Sequence, residues 1–176
     1  MTRVAIGIDL GGTDIKAGLV AEDGTIIQKY KKSTEAHLGG DKVVGRIGDL
    51  IQEILDSKPM QGREGNFVGV GMGSPGLIDH EKGAITRPVN IPEWEHWISV
   101  RDAFTKRFSI VNRVEVDNDA NVSALGEALF GNGAGRDVVI VLTLGTGVGG
   151  GIIMNGKVLH GGGGFAGELG HIMVNP

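Results

Sequence analysis

A turn near the start of the chain carries the residue types of a phosphate site. The segment Asp9–Lys16 lies between two short apolar stretches, 4–8 and 17–20, so it is typical of a hairpin turn. Its two adjacent glycines let backbone N–H groups approach an anion, because no Cβ is in the way. A plain hairpin does not require Thr13, Lys16 or Asp9. The hydroxyl of Thr13 and the charge of Lys16 suit a phosphate, and the carboxylate of Asp9 suits a magnesium ion or its waters. The predicted nucleotide ligands are Asp9, Gly11, Gly12, Thr13 and Lys16.

A second glycine-rich segment, 143–151, lies between two strand-like stretches and predicts a second phosphate turn. It also fits the formal G-x-G-x-x-G pattern of a Rossmann dinucleotide site. That pattern has to open a helix, whereas residues 151–159 are typical of a strand, an Asn-Gly turn and another strand. The phosphate turn is therefore favoured, with Gly145, Thr146 and Gly147 as its ligands.

Four polar residues cluster in the segment Asp117–Asn121, between a predicted strand and a predicted helix. An Asn or Asp that caps the helix explains one of them, not all four. A carboxylate at this place suits a general base that accepts a proton from a hydroxyl during phosphoryl transfer. Metal binding by one of these carboxylates is the alternative that the residues leave open.

Glu168 and His171 suit sugar hydroxyls, which both donate and accept hydrogen bonds. A lone histidine beside a strand is more often structural than functional, so both interpretations of His171 stay open. Trp94 and Trp97 suit either the face of a sugar ring or core packing.

The composition argues against several classes of protein. With 17 basic and 21 acidic residues the net charge is −4, which gives no sign of a nucleic-acid surface or a polybasic membrane contact. Apolar runs such as 138–144 are too short to span a bilayer, and the first residues lack signal-peptide organisation. The chain has no cysteine, and 32 of its 176 residues are glycine, well above the usual ~7 %. We expect a soluble cytoplasmic protein without nucleic-acid or membrane partners.

Apolar alternation and periodicity predict a mixed α/β chain. The predicted strands are 3–9, 14–20, 24–33, 67–72, 114–116, 138–144, 149–154, 157–159 and 171–174. The predicted helices are 41–57 with Asp41 as N-cap, 98–108, and one from Asn118 or Asp119 to about 130, with irregular structure over 77–97. Three consecutive strands followed by α/β crossovers are typical of the ribonuclease-H-like subdomain of the actin-like sugar-kinase fold. The predicted domains are a complete subdomain, 1–136, and the first strands of a second, 137–176.

Taken together and in order, these motifs resemble the ROK family, specifically its bacterial glucokinase-type sugar kinases. The resemblance runs from Val4 to Pro176. The segments that carry it are Asp9–Lys16, Ser74-Pro75-Gly76, the Asn-x-Pro-x-Trp loop from Asn90 to Trp94, Asn118–Glu127, Leu144–Gly151 and Glu168–His171.

The resemblance implies an ATP-dependent, Mg²⁺-assisted transfer of a phosphoryl group to a hexose, with glucose as the expected substrate. It implies that Asp119 is the catalytic base. The sugar contacts that it implies are Gly76, Asn90, Asn118, Glu168 and His171. In the family, the histidine at the position of His171 is also the first ligand of a structural zinc.

The family continues into a Cys-x-Cys-x-x-x-x-Cys zinc loop, a further sugar-binding glutamate and the adenine-binding region, none of which is among these residues. Structural zinc takes four ligands, and only His171 is present. We therefore expect a C-terminally truncated chain, without zinc and without turnover of its own.

Other functions stay open at this point. A sugar-responsive transcriptional regulator of the same family is disfavoured, because such proteins carry a helix-turn-helix before the first strand and this chain is acidic with Asp9 close to its start. Kinases for mannose, fructose, N-acetylmannosamine or N-acetylglucosamine share most of these residues. Polyphosphate as the donor and a homodimeric assembly also remain open.

Overall fold

The computed structural model describes residues 2–145 and 147–173. The chain forms two compact units that meet between Asn118 and Asp119, here called the first and second units. The domain limits 1–136 and 137–176 stay a prediction.

The secondary structure confirms most of the predicted elements. The strands are β1 Val4–Leu10, β2 Asp14–Ala21, β3 Ile26–Ser33, β4 Phe67–Ser74, β5 Leu77–Asp79, β6 Ala84–Thr86, β7 Ile98–Ser99, β8 Val114–Asn118, β9 Val138–Leu144, β10 Val148–Met154 and β11 Lys157–Val158. The α-helices are α1 Gly40–Leu55, α2 Val100–Arg107 and α3 Asp119–Phe130. Short 3₁₀ turns lie at Ala36–Leu38, Glu64–Asn66 and Leu169–His171.

The first unit is built on a five-stranded sheet in the order β3-β2-β1-β4-β8. β1, β2 and β3 form an antiparallel meander, whereas β4 runs parallel to β1 and β8 parallel to β4. Alternate residues of β1 are buried, from Val4 to Leu10, so one face of the sheet carries the core. The carboxyl ends of the three parallel strands lie at the same edge.

Helix α1 forms where the sequence repeats apolar residues with a helical period. Its buried side chains include Val43, Ile47, Leu50 and Ile54, all in the core of the first unit. The predicted N-cap is wrong by two residues: Gly39 is the N-cap, and Asp41 lies in the first turn. An aspartate in the first turn still interacts favourably with the helix dipole.

Two other predicted boundaries are wrong. Residues 77–97 are not wholly irregular, because β5 and β6 form a short antiparallel hairpin that β7 extends. Three-residue strands are too short to show an apolar period, which is why the pattern did not reveal them. The strand predicted at 171–174 is absent from its described part, since His171 ends a 3₁₀ turn and residues 172–173 form no strand; Val174 lies outside the described residues.

The second unit contains the antiparallel sheet β11-β10-β9 with helix α3 against it. Glycines let the helix approach the sheet closely. A Cβ on Gly151 would lie 2.6 Å from the Cβ of Ala124, and one on Gly149 would lie 3.3 Å from the Cβ of Ala120. Within the described part of the chain, no helix is long and apolar enough to cross a membrane.

Candidate functional site

Strand register brings two predicted site residues, Asp9 and Asn118, to one edge of the first sheet. Asp9 at the end of β1 pairs with Gly73 of β4, which in turn pairs with Asp117 of β8. One step further along, Ser74 pairs with Asn118. This carboxyl edge of parallel strands is where α/β sheets bind ligands, since loops and helix starts leave free polar groups there.

The predicted phosphate turn at Gly11–Thr13 is held by backbone hydrogen bonds. The Gly11 N–H donates to the Asp14 carbonyl at 3.0 Å, and a Cβ on Gly11 would lie 2.9 Å from that oxygen. Among the described residues, no acceptor is found for the N–H of Gly12 or of Thr13. Two adjacent N–H groups without an acceptor fit the oxygens of a phosphate.

Lys16 and Asp9 face each other across the hairpin that carries this turn. They are cross-strand partners, and the lysine Nζ lies 3.6 Å from Asp9 Oδ2. Both side chains are more than half exposed, so each remains accessible to a ligand. The pair combines a cation, which suits a phosphate, with a carboxylate, which suits a hard metal ion.

Asn90 lies directly against the phosphate turn. A Cβ on Gly12 would come within 2.6 Å of the Asn90 Cβ, so the glycine is required for this approach. The loop is anchored by Trp94, whose indole Nε1 donates to the Ile85 carbonyl at 3.2 Å and whose side chain is buried. Of the two interpretations of the tryptophans, core packing holds for Trp94, whereas Trp97 is half exposed.

Gly76 is fixed by its surroundings in the turn after β4. Its φ is +96°, a conformation that disfavours any residue with a Cβ. A Cβ there would lie 2.6 Å from the Thr86 carbonyl oxygen and 2.8 Å from Pro88 N. The turn that carries the predicted sugar contact Gly76 therefore packs against the segment that leads to Asn90.

The segment from Asp117 to Asn121 changes from strand to helix at Asn118. The Asn118 N–H donates to Asp117 Oδ1 at 2.7 Å. Asp119, the predicted base, is the exposed first residue of α3, and its Oδ1 accepts from the Ala120 N–H at 2.8 Å. The side chain of Asp119 is therefore accessible to a ligand.

The second glycine motif contains two kinds of glycine. Gly145 and Gly147 lie in the turn between β9 and β10, where the Gly145 N–H donates to the Gly147 carbonyl at 2.9 Å, and a Cβ on either would meet open space. Thr146 lies outside the described residues. Gly149, Gly150 and Gly151 are closely packed instead, so they serve the packing of β10.

Glu168 and His171 lie at one short turn of the second unit. The His171 Nε2 is 3.8 Å from Glu168 Oε2, and both side chains are about half exposed or more. Gly167 and Gly170 let this turn lie close to the backbone of Gly150 and Val148 in β10. The two side chains are thus adjacent and accessible, as contacts to sugar hydroxyls require.

Thr34, which follows β3, is not among the residues that the sequence predicts for the site. This side chain is fully buried, and its hydroxyl donates to the Gly11 carbonyl at 2.7 Å. The sequence gives no sign of this role, because the register of β2 with β3 shifts between Leu19 and Val20, and only the observed pairing brings Thr34 next to Thr13.

The family model of the ROK family matches residues 5–176 of the chain. The chain belongs to the ROK family. This ROK chain is 43 % identical over 171 residues to the glucokinase of Thermotoga maritima, covering 97 % of the chain and 51 % of that protein. It is 34 % identical to the xylose repressor of Caldicellulosiruptor bescii, covering 97 % of the chain and 41 % of the repressor.

Among solved structures, the ROK chain is similar to a ROK family glucokinase from Streptomyces griseus in complex with glucose and AMPPNP. The TM-score is 0.79 at 38 % identity, over 98 % of the chain and 51 % of that structure. The likeness confirms the predicted actin-like sugar-kinase fold class. The chain spans about half the length of the curated relatives that it matches.

Proposed function

We propose that the protein to which these residues belong is an ATP-dependent hexose kinase, with glucose as its first candidate substrate. The observation that carries the proposal is the turn at Gly12 and Thr13. Its two N–H groups have no acceptor among the described residues. Asp9 lies on the strand before the turn, and Lys16 lies on the strand after it. The relatives support a kinase, since glucokinases are among them.

The first-unit residues have distinct roles in this proposal. The N–H groups of Gly12 and Thr13 bind phosphate oxygens, and Lys16 neutralises part of the charge of the phosphate. Asp9 is an exposed carboxylate at the sheet edge and fits Mg²⁺ or its water ligands. Bound Mg²⁺ supplies charge neutralisation on the phosphate oxygens.

The remaining predicted site residues bind the acceptor sugar or form a second contact to the phosphates of ATP. Asp119 accepts the proton of the attacking sugar hydroxyl. The sugar oxygen forms the new bond to the γ-phosphorus while the bond to the bridging oxygen breaks and ADP leaves. The proposed sugar contacts are Gly76, Asn90, Asn118, Glu168 and His171. The proposed second phosphate turn is Gly145, Thr146 and Gly147. His171 is proposed as a zinc ligand only where a cysteine loop completes the site.

The test is a coupled ADP-release assay of a protein of the relatives' full length that carries this sequence, against a panel of hexoses and N-acetylhexosamines. We expect turnover with glucose, and no turnover by the 176 residues alone. Replacement of Asp119 by Asn should lower kcat about 100-fold or more and leave sugar binding intact. Asp137→Asn, at an exposed position before β9, is the matched control. Wild-type turnover in Asp119→Asn would refute the role of Asp119, and no turnover with any sugar would refute the kinase.

A sugar-responsive regulator is the second candidate, because a xylose repressor is among the relatives. The two proposals separate in one pair of measurements. A kinase turns over hexose and shows no specific gel shift, whereas a regulator gives a salt-sensitive shift with operator DNA. A cytoplasmic role in sugar metabolism, at the entry to glycolysis, follows from the kinase proposal alone.

A further inference from the structure

We propose that Thr34 is a positioning residue that holds the glycine turn Gly11–Thr13 in its phosphate-binding conformation. The effect of Thr34 on the geometry of the turn is independent of what the turn binds. Its effect on a nucleotide rests on the proposed function.

The position of Thr34 follows from strand pairing. The last pair of the β2–β3 ladder is Asp14 with Ser33. The ladder continues one residue further, because the Thr34 N–H donates to the Thr13 carbonyl at 2.8 Å. Thr34 is therefore the residue next to the turn, and its side chain is fully buried there.

The hydroxyl of Thr34 fixes a second carbonyl of the same turn. Its Oγ1 donates to the Gly11 carbonyl at 2.7 Å. The peptide unit that contains this carbonyl also contains the N–H of Gly12, and in a trans peptide the two groups point in opposite directions. A hydrogen bond that draws the Gly11 carbonyl toward Thr34 therefore directs the Gly12 N–H away from Thr34.

Directing this N–H has a use only where something outside the turn accepts its hydrogen bond. The Gly12 N–H has no acceptor among the described residues. Glycine itself gives the turn no rigidity, since it adopts many backbone conformations at low cost. The hydroxyl of Thr34 supplies the constraint that the glycines cannot supply.

Helix α1 holds Thr34 from the other side. The Arg46 guanidinium donates twice to the Ser33 carbonyl, at 3.0 and 2.8 Å, and forms an ion pair with Glu35 at 2.9 Å. Glu35 adopts a φ of +51°, an uncommon conformation for a residue with a side chain. Both neighbours of Thr34 are thus bonded to helix α1. These contacts restrain the backbone of Thr34, and therefore the position of the hydroxyl that bonds the turn.

Two substitutions separate the hydroxyl from the packing of the side chain. Thr34→Val keeps the volume and removes the donor, whereas Thr34→Ser keeps the donor and removes a methyl group. If Thr34 only fills space, the serine variant is the more disturbed of the two. If Thr34 positions the turn, the valine variant is the more disturbed of the two. Thr105→Val is the matched control, since the Thr105 hydroxyl also donates to a backbone carbonyl, that of Arg101 in α2 at 2.8 Å.

The first measurement is amide hydrogen exchange of the Gly11 and Thr34 N–H groups, which needs no bound nucleotide. Thr34→Val should speed exchange at these amides about tenfold, as expected for the loss of one hydrogen bond. Thr34→Ser and Thr105→Val should leave the exchange rates of these two amides unchanged. Equal exchange in Thr34→Val and wild type would overturn the inference.

The second measurement uses steady-state kinetics of the full-length kinase. Thr34→Val should raise the KM for Mg·ATP about tenfold and change the KM for hexose by less than about twofold. Thr34→Ser should restore the KM for Mg·ATP. An unchanged KM for Mg·ATP in an active Thr34→Val enzyme would overturn the role in nucleotide binding. An inactive wild type would refute the kinase proposal instead. The difference in amide exchange between Thr34→Val and wild type would still decide whether Thr34 holds the turn.

Discussion

Gly12 of the predicted phosphate turn packs directly against Asn90 of the predicted sugar loop. A Cβ on Gly12 would lie 2.6 Å from the Asn90 Cβ and 3.3 Å from its Cγ. The lack of a side chain at Gly12 therefore serves two purposes. It leaves the N–H uncovered, and it lets the loop that carries Asn90 lie against the turn.

We predict that Gly12→Ala raises the KM for both Mg·ATP and hexose about tenfold, because the new methyl group displaces the turn and the loop together. Steady-state kinetics of the proposed full-length kinase measure both constants. Gly7→Ala is the matched control in β1, where the Cβ would meet its nearest neighbour at 3.8 Å, an ordinary contact.

The double variant Gly12→Ala with Asn90→Gly tests the cause. It removes the Asn90 Cβ with which the new methyl group collides, so the KM for Mg·ATP should return toward that of Asn90→Gly alone. If the two substitutions instead act additively on that KM, the contact between the two residues does not explain the effect of Gly12→Ala.

A second prediction concerns Gly151, which belongs to the second glycine motif by sequence but serves packing. A Cβ there would lie 2.6 Å from the Ala124 Cβ and 2.9 Å from the Ala120 carbonyl oxygen, in a close approach of α3 to β10. Gly151→Ala should lower the free energy of unfolding by about 1–3 kcal/mol, as overpacking does. Urea denaturation followed by circular dichroism measures it.

Gly126→Ala is the control for this prediction. Gly126 lies in α3 and is exposed, and a Cβ there meets open space. Alanine is the better helix former by about 1 kcal/mol, so this variant should be equal to or more stable than wild type. A stable Gly151→Ala would show that the helix can move away from β10 at no cost.

Much of the fold could be predicted because long elements carry strong periodic signals. Helix α1 and strands β1 and β2 have apolar periods over many residues, and the predicted helix and three-stranded meander are confirmed. The hairpin of β5 and β6 has three residues in each strand, too few for a period. Its course depends on tertiary contacts, such as that between Gly76 and the Thr86 carbonyl.

The candidate site could be predicted only where residue type and spacing are themselves informative. Asp9 and Lys16 are predicted for the site because a plain hairpin turn does not require them at these positions. Thr34 was not found, because a threonine at the end of a strand is unremarkable until the pairing of β2 with β3 places it beside Gly11. The packing role of Gly149–Gly151 was hidden for a similar reason, since a run of glycines has the same sequence signature whether it binds an anion or admits a helix.

A third prediction concerns Lys16, whose Nζ lies 3.6 Å from Asp9 Oδ2. Lys16→Met keeps the length of the side chain and removes the charge. We expect kcat with Mg·ATP to fall about tenfold or more, because the charge that builds up on the phosphate oxygens loses a cation. Lys29→Met, at an exposed position of β3, is the control and should match wild type. Wild-type kinetics in Lys16→Met would remove Lys16 from the phosphate site.

The last prediction is a pH dependence of stability that arises where α1 meets the end of α2. The hydrogen bond from Arg107 Nη2 to Asp49 Oδ1, 2.7 Å long, lowers the pKa of the Asp49 carboxyl, and the nearby positive charges of Arg107, Lys32 and Arg46 lower it further. Burial opposes these effects only in part.

The folded protein therefore releases the Asp49 proton more readily than the unfolded chain does. The stabilisation is complete above the ordinary aspartate pKa of about 4 and is lost as the pH falls through the lower folded value. Because Asp49 is about half exposed, we expect Asp49→Asn to cost less than about 1 kcal/mol at neutral pH. The cost should shrink below about pH 4.

Urea denaturation of wild type and Asp49→Asn at about pH 7, 5 and 3.5 measures this difference. Glu53→Gln is the control, since Glu53 is an exposed acid on the same helix. It should show a smaller difference than Asp49→Asn at neutral pH. A difference between wild type and Asp49→Asn that stays constant down to the lowest pH would mean that the charge of Asp49 does not stabilise the fold. The hydrogen bonds from Arg107 to Asp49 and to the Gly45 carbonyl would then hold α1 without a contribution from that charge.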